Sequence, residues 1–257
     1  MKKIRNLLLV PFVGLILIGC DKPEQEPPKT ELEKAVEIAK NDFLAENFKH
    51  DTVNTVTSGE FKTLVEQTYE YDGNKVHTVT HNVSFQNDEK VGEGAADAYL
   101  EFSEEVTYLY QYVAEAWTKT EYPGVTKQDQ KLGIFDVLLE KFSTAATKTE
   151  EGYYYVEDFT YTVNMGDALK GFLASIAQYD GYTCSQESFE FKYDYVKLLI
   201  QDDHLALLEL SQNPLALIPN NEEHTYALAY NEGMKNVSKS YNFRDFGTTT
   251  VTLPTVE

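Results

Sequence analysis

Ser188-Phe189-Glu190-Phe191-Lys192-Tyr193-Asp194-Tyr195 alternates polar and ring side chains without a break. Successive side chains of a strand point to opposite faces, so a period of two predicts a strand with one apolar face. All four aromatics are then expected on one side, over helices or along the concave side of a curved sheet. That makes Phe189, Phe191, Tyr193 and Tyr195 the candidate ligand-binding residues if the concave side holds a cavity. The same four residues would equally serve as plain core, because rings and β-branched residues fill most strands.

Downstream, Asp202-Asp203 reads as a hairpin turn into a strand His204 to Leu210, Pro214 and Pro219 bracket a loop, and strands are expected near 224–231, 235–244 and 248–253. Upstream, a Tyr-rich strand is expected over 153–164, followed by an amphipathic segment from Gly166 to Gly181 carrying Leu169, Phe172, Leu173 and Ile176. A helix over 129–143 uses Leu132, Phe135, Leu138, Leu139 and Phe142. Strand patterning runs through Tyr108, Tyr110 and Tyr112 toward Trp117 and Tyr122, and Pro123-Gly124 closes that half. Strands near 61–71 and 75–86 flank the turn Asp72-Gly73-Asn74, a hairpin signal in which His77, Val79, His81, Val83 and Phe85 form the half-buried face. Thr30 and Glu33 make a capping box ahead of a helical stripe of Leu32, Ala35, Val36, Ala39, Phe43 and Leu44, which predicts a helix over 31–48. The fold class is α+β, a large, curved, mostly antiparallel and half-barrel-like sheet with a few packing helices. Residues 30–257 are expected to form a single domain, with two distantly related halves at about 30–124 and 125–257.

The N-terminus has another character. Lys2, Lys3 and Arg5 precede an apolar run from Leu7 to Ile18. That is the anatomy of a signal peptide, and the run falls short of the roughly 20 residues a spanning helix needs. Leu17-Ile18-Gly19-Cys20 resembles the lipobox of bacterial lipoproteins. The resemblance implies that residues 1–19 are removed and that Cys20 carries the lipid attachment, so the chain would sit at the cell membrane, facing the extracytoplasmic side. Residues 20–29, with Pro23, Pro27 and Pro28 and nothing apolar to bury, read as a flexible linker.

Charge limits the partners. The chain carries a net −20, and losing the three basic residues of the leader leaves −23. Nucleic acid is excluded by the lack of a basic patch, and an anionic membrane surface would repel the domain, so the lipid must do the anchoring. The expected partners are the membrane through Cys20 and either an apolar ligand or a protein.

No constellation for catalysis emerges, and the chain is not expected to be an enzyme. Cys184 is the one cysteine left after Cys20 and has no neighbouring base to lower its pKa, so packing is its expected role. His77 and His81 share a strand face about 13 Å apart, too far to ligate one zinc ion, and His50, His204 and His224 are isolated in the sequence. The acidic stretches lack the calcium-loop register. Neither a metal site nor a cofactor is expected. Asp245-Phe246-Gly247 reads as a β-turn.

A second resemblance lies at the C-terminus. A long antiparallel sheet with a leading helix, closing on Tyr241, Asp245, Gly247 and Pro254, resembles the lipid-carrier lipoproteins of the LolA and LppX type. What the resemblance implies is an open half-barrel that takes an acyl chain or another apolar ligand beneath its helices.

Overall fold

A computed structural model describes residues 29–113, 115–123, 133–164 and 183–256. The leader, Cys20, the linker up to residue 28, Gly124 and the amphipathic segment expected between Gly166 and Gly181 lie outside the described residues. The elements in chain order are α1 (Glu31–Leu44), β1 (Asn47–Ser58), β2 (Phe61–Asp72), β3 (Lys75–Gln86), β4 (Glu89–Phe102), β5 (Val106–Val113), β6 (Ala116–Pro123), α2 (Gly133–Ala145), β7 (Thr147–Lys148), β8 (Tyr154–Asn164), β9 (Thr183–Cys184), β10 (Ser188–Gln201), β11 (His204–Gln212), β12 (Leu215–Asn220), β13 (Thr225–Tyr230) and β14 (Lys235–Arg244).

Eleven strands form one open, curved sheet in the order β6-β5-β4-β3-β2-β1-β14-β11-β10-β8-β7, and every ladder in it is antiparallel. A small second sheet, β12-β13-β9, adds Tyr226 and Leu228 to the core. The first six strands lie side by side, and β14 returns from the chain's end to join β1 to the second group. Two-residue turns suit this connectivity. Asn87-Asp88 and Asp202-Asp203 both adopt left-handed φ at their two positions, the mirror-image turn that matches strand twist.

The helices cover only part of the sheet. Thr30 caps α1 with both bonds of the capping box, Glu33 N donating to Thr30 Oγ1 and Thr30 N donating to Glu33 Oε2, and the helix buries Ala35, Val36 and Ala39 against β10, β11 and α2. Asp42, also buried, ties the helix to the β10–β11 turn by accepting from Leu205 N at 2.6 Å and meeting His204 Nδ1 at 3.0 Å. Leu138, Leu139 and Phe142 of α2 complete a core with Val196, Leu198, Leu205 and Leu208. Among the described residues no such layer covers the far ends of β1 to β4, and their side chains on both faces are half-buried or exposed.

Several sequence expectations change in this light. The helix stops at Leu44 because residues 47–58 are needed as β1, the strand that joins the two groups. Pro214 and Pro219 flank no loop, since Leu215–Asn220 is a strand paired with β13. Residues 248–253 are not a strand. They run across the sheet's end, held by Asn47, which donates to Thr249 O and accepts from Thr249 N, and by Asp72, which accepts from Val251 N.

The hairpin β2–β3 also turns the other way. Phe43 of α1 meets His50 and Phe243 edge-on, so His50 faces the helices. By register that face continues through Tyr69 to Thr78, and through Gln67 to Thr80. Thr78, Thr80, Asn82 and Ser84 therefore lie on the helix side, and His77, Val79, His81, Val83 and Phe85 lie on the outer face.

Candidate ligand site on the helix-side face

The aromatic run of β10 does not keep one face. Burial alternates over Phe189, Phe191 and Tyr193, then resumes at Val196 and Leu198, a slip of one residue. Its partner β8 slips at the same level, between Tyr154 and Phe159, where Asp158 adopts φ 47°. A left-handed residue within a strand breaks the alternation as a bulge does. Phe189, Phe191 and Tyr193 consequently pack into the core, Phe191 at 2 % exposure. Tyr195 turns to the outer face, where its hydroxyl donates to Glu209 Oε1 at 2.5 Å and its ring stacks on Tyr155. The four candidates are thus not brought together around a cavity.

Of the four only Tyr193 borders a cavity, about 270 Å³ and lined mostly by polar and charged groups, and a second cavity lies on the helix side, where the covered core meets the strands beyond the helices. It measures about 330 Å³, toward the lower end of the ~300–1,000 Å³ usual for small-molecule sites. Its walls follow the strand rows. Phe48 and Tyr71 stack with centroids 4.6 Å apart, and His50 lies between Tyr69 and Phe243 at 4.9 Å from each. Phe43 and Phe102 close that aromatic end. One step further along the strands the lining becomes Thr52, Gln67 and Ser240, then Asn54 and Ser238. Rings thus give way to neutral hydrogen-bonding groups along one pocket.

Two of these side chains are unsatisfied. His50, 5 % exposed, and Thr52, 9 % exposed, line the pocket, yet His50 Nδ1 and Thr52 Oγ1 are buried without a hydrogen-bond partner. A buried polar atom without a partner costs roughly 1–3 kcal/mol. Gln212 Oε1 and Asn236 Oδ1, also buried and unpartnered, belong by register to the same face through the pairs Gln212–Asn236 and Asn236–Val56. Burial lowers the His50 pKa to about 4, with Asp51 opposing and Arg244 assisting. The ring is neutral at neutral pH, so no lining residue carries a charge. Burial also raises the Tyr69 and Tyr71 hydroxyls.

The outer face carries the ionic groups. Burial alone would raise Asp51, but Arg244, Asn242 and Thr68 all donate to it and hold it below the usual range. His77 sits between Glu70 at 2.9 Å and Asp97 at 2.7 Å, and His81 between Glu66 and Glu93. Bonding to Glu93 and Glu66 raises the His81 pKa. Beside them Tyr99 stacks on His77 at 4.2 Å and meets Trp117 at 5.3 Å, with Tyr112 on the other side of Trp117.

The remaining sequence candidates fall outside the pocket's lining. Cys184 packs half-buried against the core. Tyr241 faces outward opposite Asp51, and Asp245 and Gly247 form a left-handed turn closed by Thr248 N to Asp245 O. Among the described residues no group of three or more His, Cys, Asp or Glu could hold a metal ion, and no helix is long and apolar enough to cross a membrane. The pocket residues escaped sequence reasoning because extending the first helix to 48 hid the alternation of Phe48, His50, Thr52 and Asn54 that begins there. Compared with known proteins, the sequence matches no protein family and no curated protein.

Proposed function

We propose that this chain is an extracytoplasmic lipoprotein, anchored to the cell membrane through lipid on Cys20, whose domain binds a small uncharged ligand in the helix-side pocket. It acts by binding and not by catalysis. The observation that carries the reading is the pair of buried, unpartnered polar groups, His50 Nδ1 and Thr52 Oγ1, in a pocket with ring walls at one end and neutral polar walls at the other. A ligand with a ring-like body and hydrogen-bonding substituents would use both ends. A bare acyl chain would leave the polar end unmet, so the reading departs from the lipid ligand that the C-terminal resemblance implies.

The test is Thr52→Val. Valine keeps the shape and removes the unmet hydroxyl, so the ligand-free variant should be more stable than wild type by about 1 kcal/mol in urea denaturation at pH 7. A loss of similar size would place the hydroxyl in the fold's own bonding and count against the site. A second reading, a surface lipoprotein that presents its acidic sheet to a protein partner, is favoured by the outer-face cluster of Tyr99, Trp117 and Tyr112, the last 55 % exposed.

A further inference from the structure

We infer that the ligand is an uncharged carbohydrate chain, with its terminal sugar in the pocket and the following sugars lying across the uncovered helix-side face of β1 to β3. This rests on the binding reading above and specifies its ligand.

Three observations carry it. The pocket's lining is neutral throughout, so a phosphate, a carboxylate or an amino acid would be desolvated there without a counter-charge, at high cost. A sugar ring supplies what both ends lack. Its C–H edges are slightly positive and suit the aromatic end of the pocket, while its hydroxyls donate and accept and so suit His50 and Thr52.

The third observation is the direction of β3. Past Val76, which lines the pocket, the polar residues Thr78, Thr80, Asn82 and Ser84 face the helix side and Val79, Val83 and Phe85 face outward, the reverse of what covering a core would select. Outward from Gln67 at the pocket's polar end the rows read Thr80 beside Gln67, Asn82 beside Val65, and Ser84 beside Thr63. Asn82 is exposed, and its side chain lies across Gly94, where a Cβ would come within 2.5 Å of Asn82 Oδ1. The result is a strip of hydroxyl and amide groups, interrupted by Val65, that leads out of the pocket with no covering layer among the described residues. Such a strip bonds a hydroxyl-rich chain and offers little to an apolar one.

The test titrates the full chain in detergent, by saturation-transfer NMR, with uncharged hexoses, N-acetylhexosamines and their oligomers of one to four sugars. Uronic-acid oligomers and a fluorescent fatty acid are the comparison ligands. At least one neutral series should bind, its tetramer at least tenfold tighter than its monomer, with the uronic-acid counterpart at least tenfold weaker. Thr52→Val should weaken monomer and tetramer alike by about tenfold, and Asn82→Ala should weaken only the tetramer. Asn82 is exposed and outside the pocket, so that variant keeps the fold.

Tetramer and monomer binding equally, or Asn82→Ala without effect, would overturn the extended strip. Binding of the fatty acid but of no neutral sugar, weakened by Thr52→Val, would overturn the carbohydrate while leaving a ligand pocket. Binding of nothing offered would overturn both readings.

Discussion

His50 occupies an unusual setting for an imidazole, within van der Waals reach of stacked rings, without a hydrogen-bond partner at Nδ1, and with its pKa lowered to about 4 by burial. In the unfolded chain the same group titrates near 6.5. Between those values the unfolded state binds more protons than the folded one, so this contribution to stability is present in full above pH 6.5 and is lost as the pH falls toward 4. The difference amounts to roughly 3 kcal/mol. The charged and titratable groups around it are Asp51, Arg244, Tyr69 and Tyr71, and Asp51 is held below the usual carboxylate range by its donors. His50→Phe, which keeps a ring in the stack, should flatten the dependence. Urea denaturation of wild type and variant at pH 7, 5.5 and 4 measures it, and parallel losses in the two proteins would show that His50 is not the origin of acid sensitivity.

At the scale of elements, β10 shows how a pattern can be read correctly as a strand and still mislead about its faces. The alternation from Ser188 to Tyr195 identifies the strand, but nothing in it reports that β8 contains a left-handed Asp158 opposite Asp194. Phe191→Ala should therefore cost about 3–5 kcal/mol, as deletion of a core Phe does, whereas Tyr195→Phe, on the outer face, should lose only its bond to Glu209, about 1 kcal/mol. Thermal melts of both variants decide it, and equal costs would return the two residues to one face. Elements that bury an apolar stripe were legible, α1 with its capping box, α2 and β10–β11, and the β2–β3 hairpin was legible from its turn Asp72-Gly73-Asn74. Those without a covered face were not. β1 alternates Phe48, His50, Thr52 and Asn54 against Asn47, Lys49, Asp51 and Val53, a pattern with polar residues on both sides. β4 is rich in Gly and Ala around Gly92 to Ala96, which carries no periodic signal. The pocket is built largely on β1, which is why it was hidden along with the strand.

The whole molecule divides by what covers its sheet. The first helix packs on β10 and β11, strands from the second half, and reaches its own half only where Phe43 meets His50, so among the described residues the strands of that half are largely uncovered on the helix side. The pocket forms at that boundary, where the aromatic rows of a core end and polar rows begin. On the proposed reading, in which the leader is removed and Cys20 carries the anchor, the net charge of −23 would keep the domain from adhering to an anionic membrane and leave the helix-side face available. Native mass spectrometry of the full chain, expressed with its leader and extracted in mild detergent, tests this account most directly because one spectrum reads both anchor and ligand. The predicted result is a chain that begins at Cys20 with acyl groups attached and carries a non-covalent, uncharged, sugar-sized adduct that the Thr52→Val protein lacks. A chain that retains residues 1–19, or one that carries a free fatty acid equally in both proteins, would contradict it.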